Sequence, residues 1–95
     1  MAQDYAQALK WCRKAAEQGH ADAQYILGFM YETGEGVTQD YTQAYMWYNL
    51  AIAQKDEVAT ARDKFDIDEL AKSMTPDQIA EAQRLAREWT EKHSK

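Results

Sequence analysis

Apolar residues in this chain recur at spacings of three and four, the pattern of helices with a buried side. Over residues 4–18 the stripe is Tyr5, Ala8, Leu9, Cys12, Ala15 and Ala16, with Asp4 placed as N-cap and Gly19 as the stop. Trp11 lies off that stripe, so this helix has apolar surface on more than one side. A second helix, 21–33, sets Ala23, Ile26, Leu27, Met30 and Tyr31 on a core face, and Gly28 beside them lets a neighbouring helix come close. Its other side carries Asp22, Tyr25, Phe29 and Glu32, a mixture of rings and acids. The loop from Thr33 to Gln39 holds Gly34 at the C-cap position, Gly36, and Val37 to tuck the loop against the core. A third helix, 40–54, begins at the N-cap Asp40 and is apolar nearly all round. Tyr41, Ala44, Tyr45, Tyr48, Ala51 and Ile52 lie on one side, and Met46, Trp47, Leu50 and Ala53 on another. Such a helix belongs in the middle of the molecule, packed from two directions.

Beyond Gln54 the pattern loosens. Val58, Ala61 and Phe65 keep helical period, and the apolar positions then shift phase to Ile67, Leu70, Ala71 and Met74. Asp66 and Glu69 have the spacing of a capping box, which predicts a kink or break near Asp66. Thr75-Pro76-Asp77-Gln78 is the clearest helix start in the chain: a capping threonine, proline in the first turn, then an acid and a glutamine to reach back. The helix it opens buries Ile79, Ala82, Leu85, Ala86 and Trp89 and sets Arg84 with Glu88, Arg87 with Glu91 and Glu88 with Lys92 at i, i+4 spacing on its other face. One apolar and one charged face suit the end of a stack.

The first and third helices repeat each other. Asp4, Tyr5, Gln7, Ala8, Trp11, Ala15 and Gln18 return as Asp40, Tyr41, Gln43, Ala44, Trp47, Ala51 and Gln54, an offset of 36 residues, and a period of that size means a solenoid of stacked helix pairs. The series Ala21, Ala23, Leu27-Gly28, Tyr31, Gly34, Gly36-Val37, Asp40, Ala44 and Trp47 resembles the Sel1-like repeat family, relatives of the tetratricopeptide repeats. The run from Met74 to Trp89 is similar to the tail that closes many bacterial Sel1-like proteins, so a bacterial source is expected. The resemblance implies an all-α, right-handed α/α solenoid of about five helices in a single domain, 1–95. Within it, 4–20 is the second half of a repeat, 21–54 a complete one, 55–74 a degenerate helical region and 75–93 a capping helix.

What the resemblance implies about function is protein binding on a scaffold. Ala23, Leu27, Gly28, Tyr31, Gly34, Gly36, Asp40, Ala44, Trp47 and Ala51 stand at structural repeat positions, with Leu27, Gly28 and Tyr31 packing the two helices of a repeat together. In tetratricopeptide-like solenoids the first helix of each pair lines the binding face, and the matching positions here are Asp22, Tyr25, Phe29 and Glu32. Aromatic anchors flanked by acids suit a peptide or partner helix with apolar and basic groups. Equally open is a packing role for Tyr25 and Phe29 against the helix that starts near Asp56. A second surface is the flank of the first helix, where Leu9 or Trp11 is left uncovered. About three repeats usually make a stable solenoid, so this edge is expected to pair with another copy or to belong to a longer array.

Charge and composition narrow the classes further. The chain has 95 residues and a net charge of −5, with 3 basic and 6 acidic groups in residues 1–54 and 8 and 10 in residues 55–95. An acidic chain without a basic patch gives no footing for nucleic acid, and no apolar run approaches the ~18 residues of a membrane span. Met1 is followed by Ala-Gln-Asp rather than a secretory signal, which favours the cytoplasm, with the periplasm open to a processed form. Cys12 is the single thiol, and His20 and His93 the only histidines, so no nucleophile–base set and no metal-binding spacing is present, and no cofactor is expected. Gly34-x-Gly36 lacks the preceding strand and third glycine of a phosphate loop. Some cysteine-rich members of the resembled family are linked to β-lactam binding or hydrolysis, but their paired cysteines are missing here. The expected function is a non-catalytic interaction module. A structural segment of a larger scaffold is the alternative, and a hydrolase of the β-lactam type a more distant one.

Overall fold

A computed structural model describes the backbone of residues 5–53 and 57–93 and the side chains of residues 7–53 and 64–93. It holds five helices: α1 (Tyr5–Glu17), α2 (Ala21–Thr33), α3 (Tyr41–Ile52), α4 (Glu57–Ala71) and α5 (Pro76–His93). Asp4 as N-cap, the side chains of Tyr5, Val58 and Ala61, and the end of the third helix at Gln54 lie outside the described residues.

Glycine sets the two helix ends of the first repeat. Gly19 adopts φ 93°, letting the His20 and Gly19 amides turn back onto the carbonyls of Ala15 and Ala16, and Gly34 (φ 81°) does the same work at the end of α2, where its amide donates to Met30. The connecting loop then folds over the end of α2: the Asp40 amide donates to the Tyr31 carbonyl at 2.9 Å and Gln39 Nε2 to that of Glu32 at 2.8 Å. Val37 is half-buried beneath it. Asp40 caps α3 as expected, its Oδ1 accepting from the Gln43 amide at 3.2 Å. At α5 the capping box is complete, with Gln78 N–H donating to Thr75 Oγ1 at 3.1 Å and Thr75 N–H to Gln78 Oε1 at 2.9 Å.

α3 is the centre. Met46, Trp47 and Leu50 pack in one cluster with Ala16 of α1, Leu27 of α2 and Ala82 of α5. Ala44 and Tyr48, on its other side, pack in a second cluster with Ile67 and Leu70 of α4 and with Met74. Trp89 meets Trp47 edge to face at 6.0 Å, and the rest of the α5 stripe (Ile79, Leu85, Ala86) is half-buried against the same clusters. Burial here exceeds what α2 or α5 achieves, which is why α3 alone could afford apolar residues on two sides.

Several expectations are corrected. α4 runs unbroken through Asp66, because no glycine or proline interrupts 57–71 and the Asp66 carboxylate accepts from Tyr25 Oη on α2 instead of turning back to its own backbone. Ile26 is half exposed rather than core, and Ala8 is exposed, since only the Ala23, Leu27, Met30 and Tyr31 side of α2 and the Leu9, Cys12, Ala16 side of α1 face inward. Ala53 is exposed at the end of α3. Of the three predicted ion pairs on α5, Arg84–Glu88 forms at 2.5 Å, and Arg84 also takes Glu81 at 2.6 Å, while Arg87–Glu91 and Glu88–Lys92 do not close.

Candidate protein-interaction surface

The side of α2 that carries Asp22, Tyr25, Phe29 and Glu32 combines two kinds of residue. Tyr25 and Glu32 are braces. Tyr25 lies against the Tyr48 ring at 5.1 Å and hands its hydroxyl proton toward Asp66 Oδ2, and Glu32 Oε1 accepts from Tyr48 Oη at 2.6 Å. These contacts tie α2 to α3 and α4 and raise the Tyr48 phenol above its ordinary pKa, first by burial and then through the Glu32 carboxylate. Phe29 and Asp22 point outward. Phe29 is 47% exposed, as is Ile26, and Phe65 of α4, one residue from the Asp66 that anchors Tyr25, is 63% exposed. Phe65 and Ile26 are the surface residues that sequence reasoning missed. The signal for Phe65 was its place beside an acid that another helix claims, which helical periodicity does not register.

The α2 part of this side carries acids alone. Residues 21–53 contain Asp22, Glu32, Glu35 and Asp40 and neither lysine nor arginine, and α4 adds Asp66, Asp68 and Glu69, with Lys72 paired to Glu69 at 3.0 Å and Lys64 exposed. Exposed apolar rings among carboxylates make a surface that attracts cationic, partly apolar segments and repels acidic ones.

The second expected surface divides. Leu9 packs against the α3-centred cluster, whereas Trp11, two residues on and on the other side of α1, is 72% exposed. Trp11 lies in an open groove of about 710 Å³ lined by Gln7, Lys10, Trp11, Lys14, Ala15, Gln18 and His20. Cys12 is half-buried in α1, with burial raising its thiol pKa, and His20 is exposed at the N-cap of α2 without a side-chain capping bond. His93 stacks on Trp89 at 3.9 Å and its Nδ1 lies 2.8 Å from the Trp89 carbonyl. Among the described residues no three metal-ligating side chains converge, and no helix is long and apolar enough to cross a membrane.

Gly28, Leu27 and Tyr31 lie where α2 meets its neighbours. Gly28 lets α2 ride directly on Tyr48 and Ala44, Leu27 is fully buried, and Tyr31 joins both clusters while its hydroxyl accepts from Arg13 at 2.7 Å. The family model of the Sel1 repeat matches residues 1–20 and 21–56, more than half of the chain. The chain belongs to the Sel1 repeat family. Its fold is that of a solved Sel1-like structure, a protective antigen of uropathogenic Escherichia coli strains, with a TM-score of 0.83 and 35% identity over 96% of this chain and 19% of that one. Among curated proteins, this Sel1 repeat chain is 39% identical over 56 residues to a chitin synthase regulator of Malassezia restricta, and 50% identical over 48 residues to chitin synthase regulatory factor 3 of Schizosaccharomyces pombe. A chitin synthase regulator of Saccharomyces cerevisiae is 36% identical over 56 residues. The matches cover 59%, 50% and 59% of this chain but only 4%, 5% and 8% of those much longer proteins. These three curated relatives are fungal, and the solved structure named above is bacterial.

Proposed function

We propose that this Sel1 repeat chain is a non-catalytic interaction module that binds a protein segment carrying apolar and basic groups on the exposed side of α2, around Phe29, with Asp22 supplying charge and Tyr25 and Glu32 holding the surface in shape. In this reading 55–74 is a degenerate helical region and 75–93 a capping helix that completes the core. The observation that carries it is Phe29 exposed at the centre of a side that bears acids and no base between residues 21 and 53. Large exposed rings mark interaction surfaces, and the surrounding charge selects the partner. The curated relatives are named as regulators, which supports a role in binding rather than in chemistry.

The test uses a synthetic helical peptide with leucines on one face and arginines on the other, titrated into the intact chain and followed by backbone amide shifts. Binding should perturb α2 and weaken by about tenfold in Ile26→Ala/Phe29→Ala, a pair chosen because neither side chain is part of the core. Affinity equal to wild type in that variant, with its helix content unchanged, would remove the reading. Tyr25 is a poor target for the same test, since its loss also breaks the bond to Asp66.

A further inference from the structure

The internal repeat allows one helix to be compared with another at matched positions. On α3 the seam Met46, Trp47 and Leu50 is 5–6% exposed, covered in part by Ala82 and Trp89 of α5. Thirty-six residues earlier, α1 carries Lys10, Trp11 and Lys14 at the same places. The tryptophan is kept and both of its apolar flanks have become lysines. All three residues line the groove on α1 together with Gln7, Ala15, Gln18 and His20. Among the described residues no acid lines that groove.

We propose that this face of α1 docks an acidic amphipathic helix of a partner protein, one that sets an apolar stripe on Trp11 and carboxylates on Lys10 and Lys14. α5 on α3 shows the geometry by which a helix covers a tryptophan at this register, and the two lysines change the chemistry of the cover. A purely apolar stripe like that of α5 would strand Lys10 and Lys14 without partners at a desolvated contact, which costs more than the apolar burial returns. Two copies meeting through the same face would bring four lysines together, so the expected self-pairing through Trp11 is opposed by like charge. The acidic helix is complementary to both features. This site is distinct from the Phe29 side, which has the opposite charge and calls for a basic partner.

The test uses two dye-labelled peptides built on the 18 residues of α5, both keeping the Ile79, Ala82, Leu85, Ala86 and Trp89 stripe. One carries Arg84→Glu, Arg87→Glu and Lys92→Glu, and the other Glu81→Lys, Glu88→Lys and Glu91→Lys. In the Ile26→Ala/Phe29→Ala background, which removes the side proposed for basic segments, the chain should bind the acidic peptide and not the basic one, more weakly as salt rises. Lys10→Glu/Lys14→Glu should reverse the preference, losing at least about tenfold for the acidic peptide, and Trp11→Ala should lose a similar factor. These residues are exposed, so the variants should keep their helix content, and Ile26→Ala/Phe29→Ala should bind the acidic peptide as wild type does, which separates this proposal from the Phe29 reading. Equal binding of both peptides in the Ile26→Ala/Phe29→Ala background, an acidic-peptide affinity unmoved by the lysine changes, or no acidic-peptide binding at all would overturn it. So would a light-scattering dimer abolished by Trp11→Ala, or displacement of the acidic peptide by a single-stranded oligonucleotide of equal affinity.

Discussion

A methyl group at residue 28 would meet Tyr48 Cδ1 at 2.7 Å and the Ala44 carbonyl at 3.1 Å. In a free helix Gly→Ala is worth up to about 1 kcal/mol of stabilisation. Here the ring in the way is fully buried, flanked by Tyr25 and tethered through its hydroxyl to Glu32, so it cannot swing aside. Overpacking of that kind costs roughly 1–3 kcal/mol and wins. Gly28→Ala is therefore expected to lower stability by about 1 kcal/mol net in urea unfolding, whereas an unchanged or raised midpoint would mean that α2 and α3 approach less closely than described. The sequence made Gly28 legible because a repeat pattern marks it and a missing side chain has one common use. Ile26 was not legible. It shares the helical spacing of Leu27 and Met30, and only the position of α3 decides that the buried arc stops short of it.

At the scale of helices, the tyrosine hydroxyls do what apolar spacing cannot announce. Tyr48 to Glu32 joins α3 to α2, and Tyr25 to Asp66 joins α2 to α4. The second bond explains why Asp66 sits inside a continuous helix: a carboxylate at capping-box spacing starts a helix only when its own backbone is the best donor available. That competition lies 41 residues away in sequence and was invisible there. The buried stripe of α5 was readable, as was the Thr75 cap. The Tyr48 bond also sets a pH limit. Its folded-state pKa lies above the ordinary tyrosine value of about 10, so the neutral phenol is favoured by folding. The stability it contributes is fully present below pH ~10 and declines as pH rises above that toward the folded-state value. Tyr48→Phe should be less stable than the parent at neutral pH and should lose less of its remaining stability between pH 9 and about 11, read by circular dichroism melts. A steeper alkaline loss in the variant would contradict this assignment.

Across the whole molecule, charge and apolar exposure are sorted together. The helix that begins the described chain is basic, with Lys10, Arg13 and Lys14 against Glu17, α2 carries only the acids Asp22 and Glu32, and α3 carries no charge. The first two of these helices each expose one large ring, Trp11 in α1 and Phe29 in α2. The net charge of −5 hides that arrangement, which is why composition argued only for an undifferentiated acidic surface. The repeat period carried the architecture of α1 to α3, but it could not say which copies of a position are covered, because coverage depends on what stands beside each helix.

The three tryptophans occupy three different surroundings: Trp11 is 72% exposed, Trp47 only 5%, and Trp89 lies between, stacked on His93. The chain consequently carries its own optical labels. Acrylamide should quench Trp11 first and strip the red edge from the emission, leaving a blue-shifted remainder from Trp47, and quenching that is uniform across the band would show that Trp11 is covered. Light from residue 11 thus reports whether its groove is occupied, and light from residue 47 reports whether the molecule behind it is still folded.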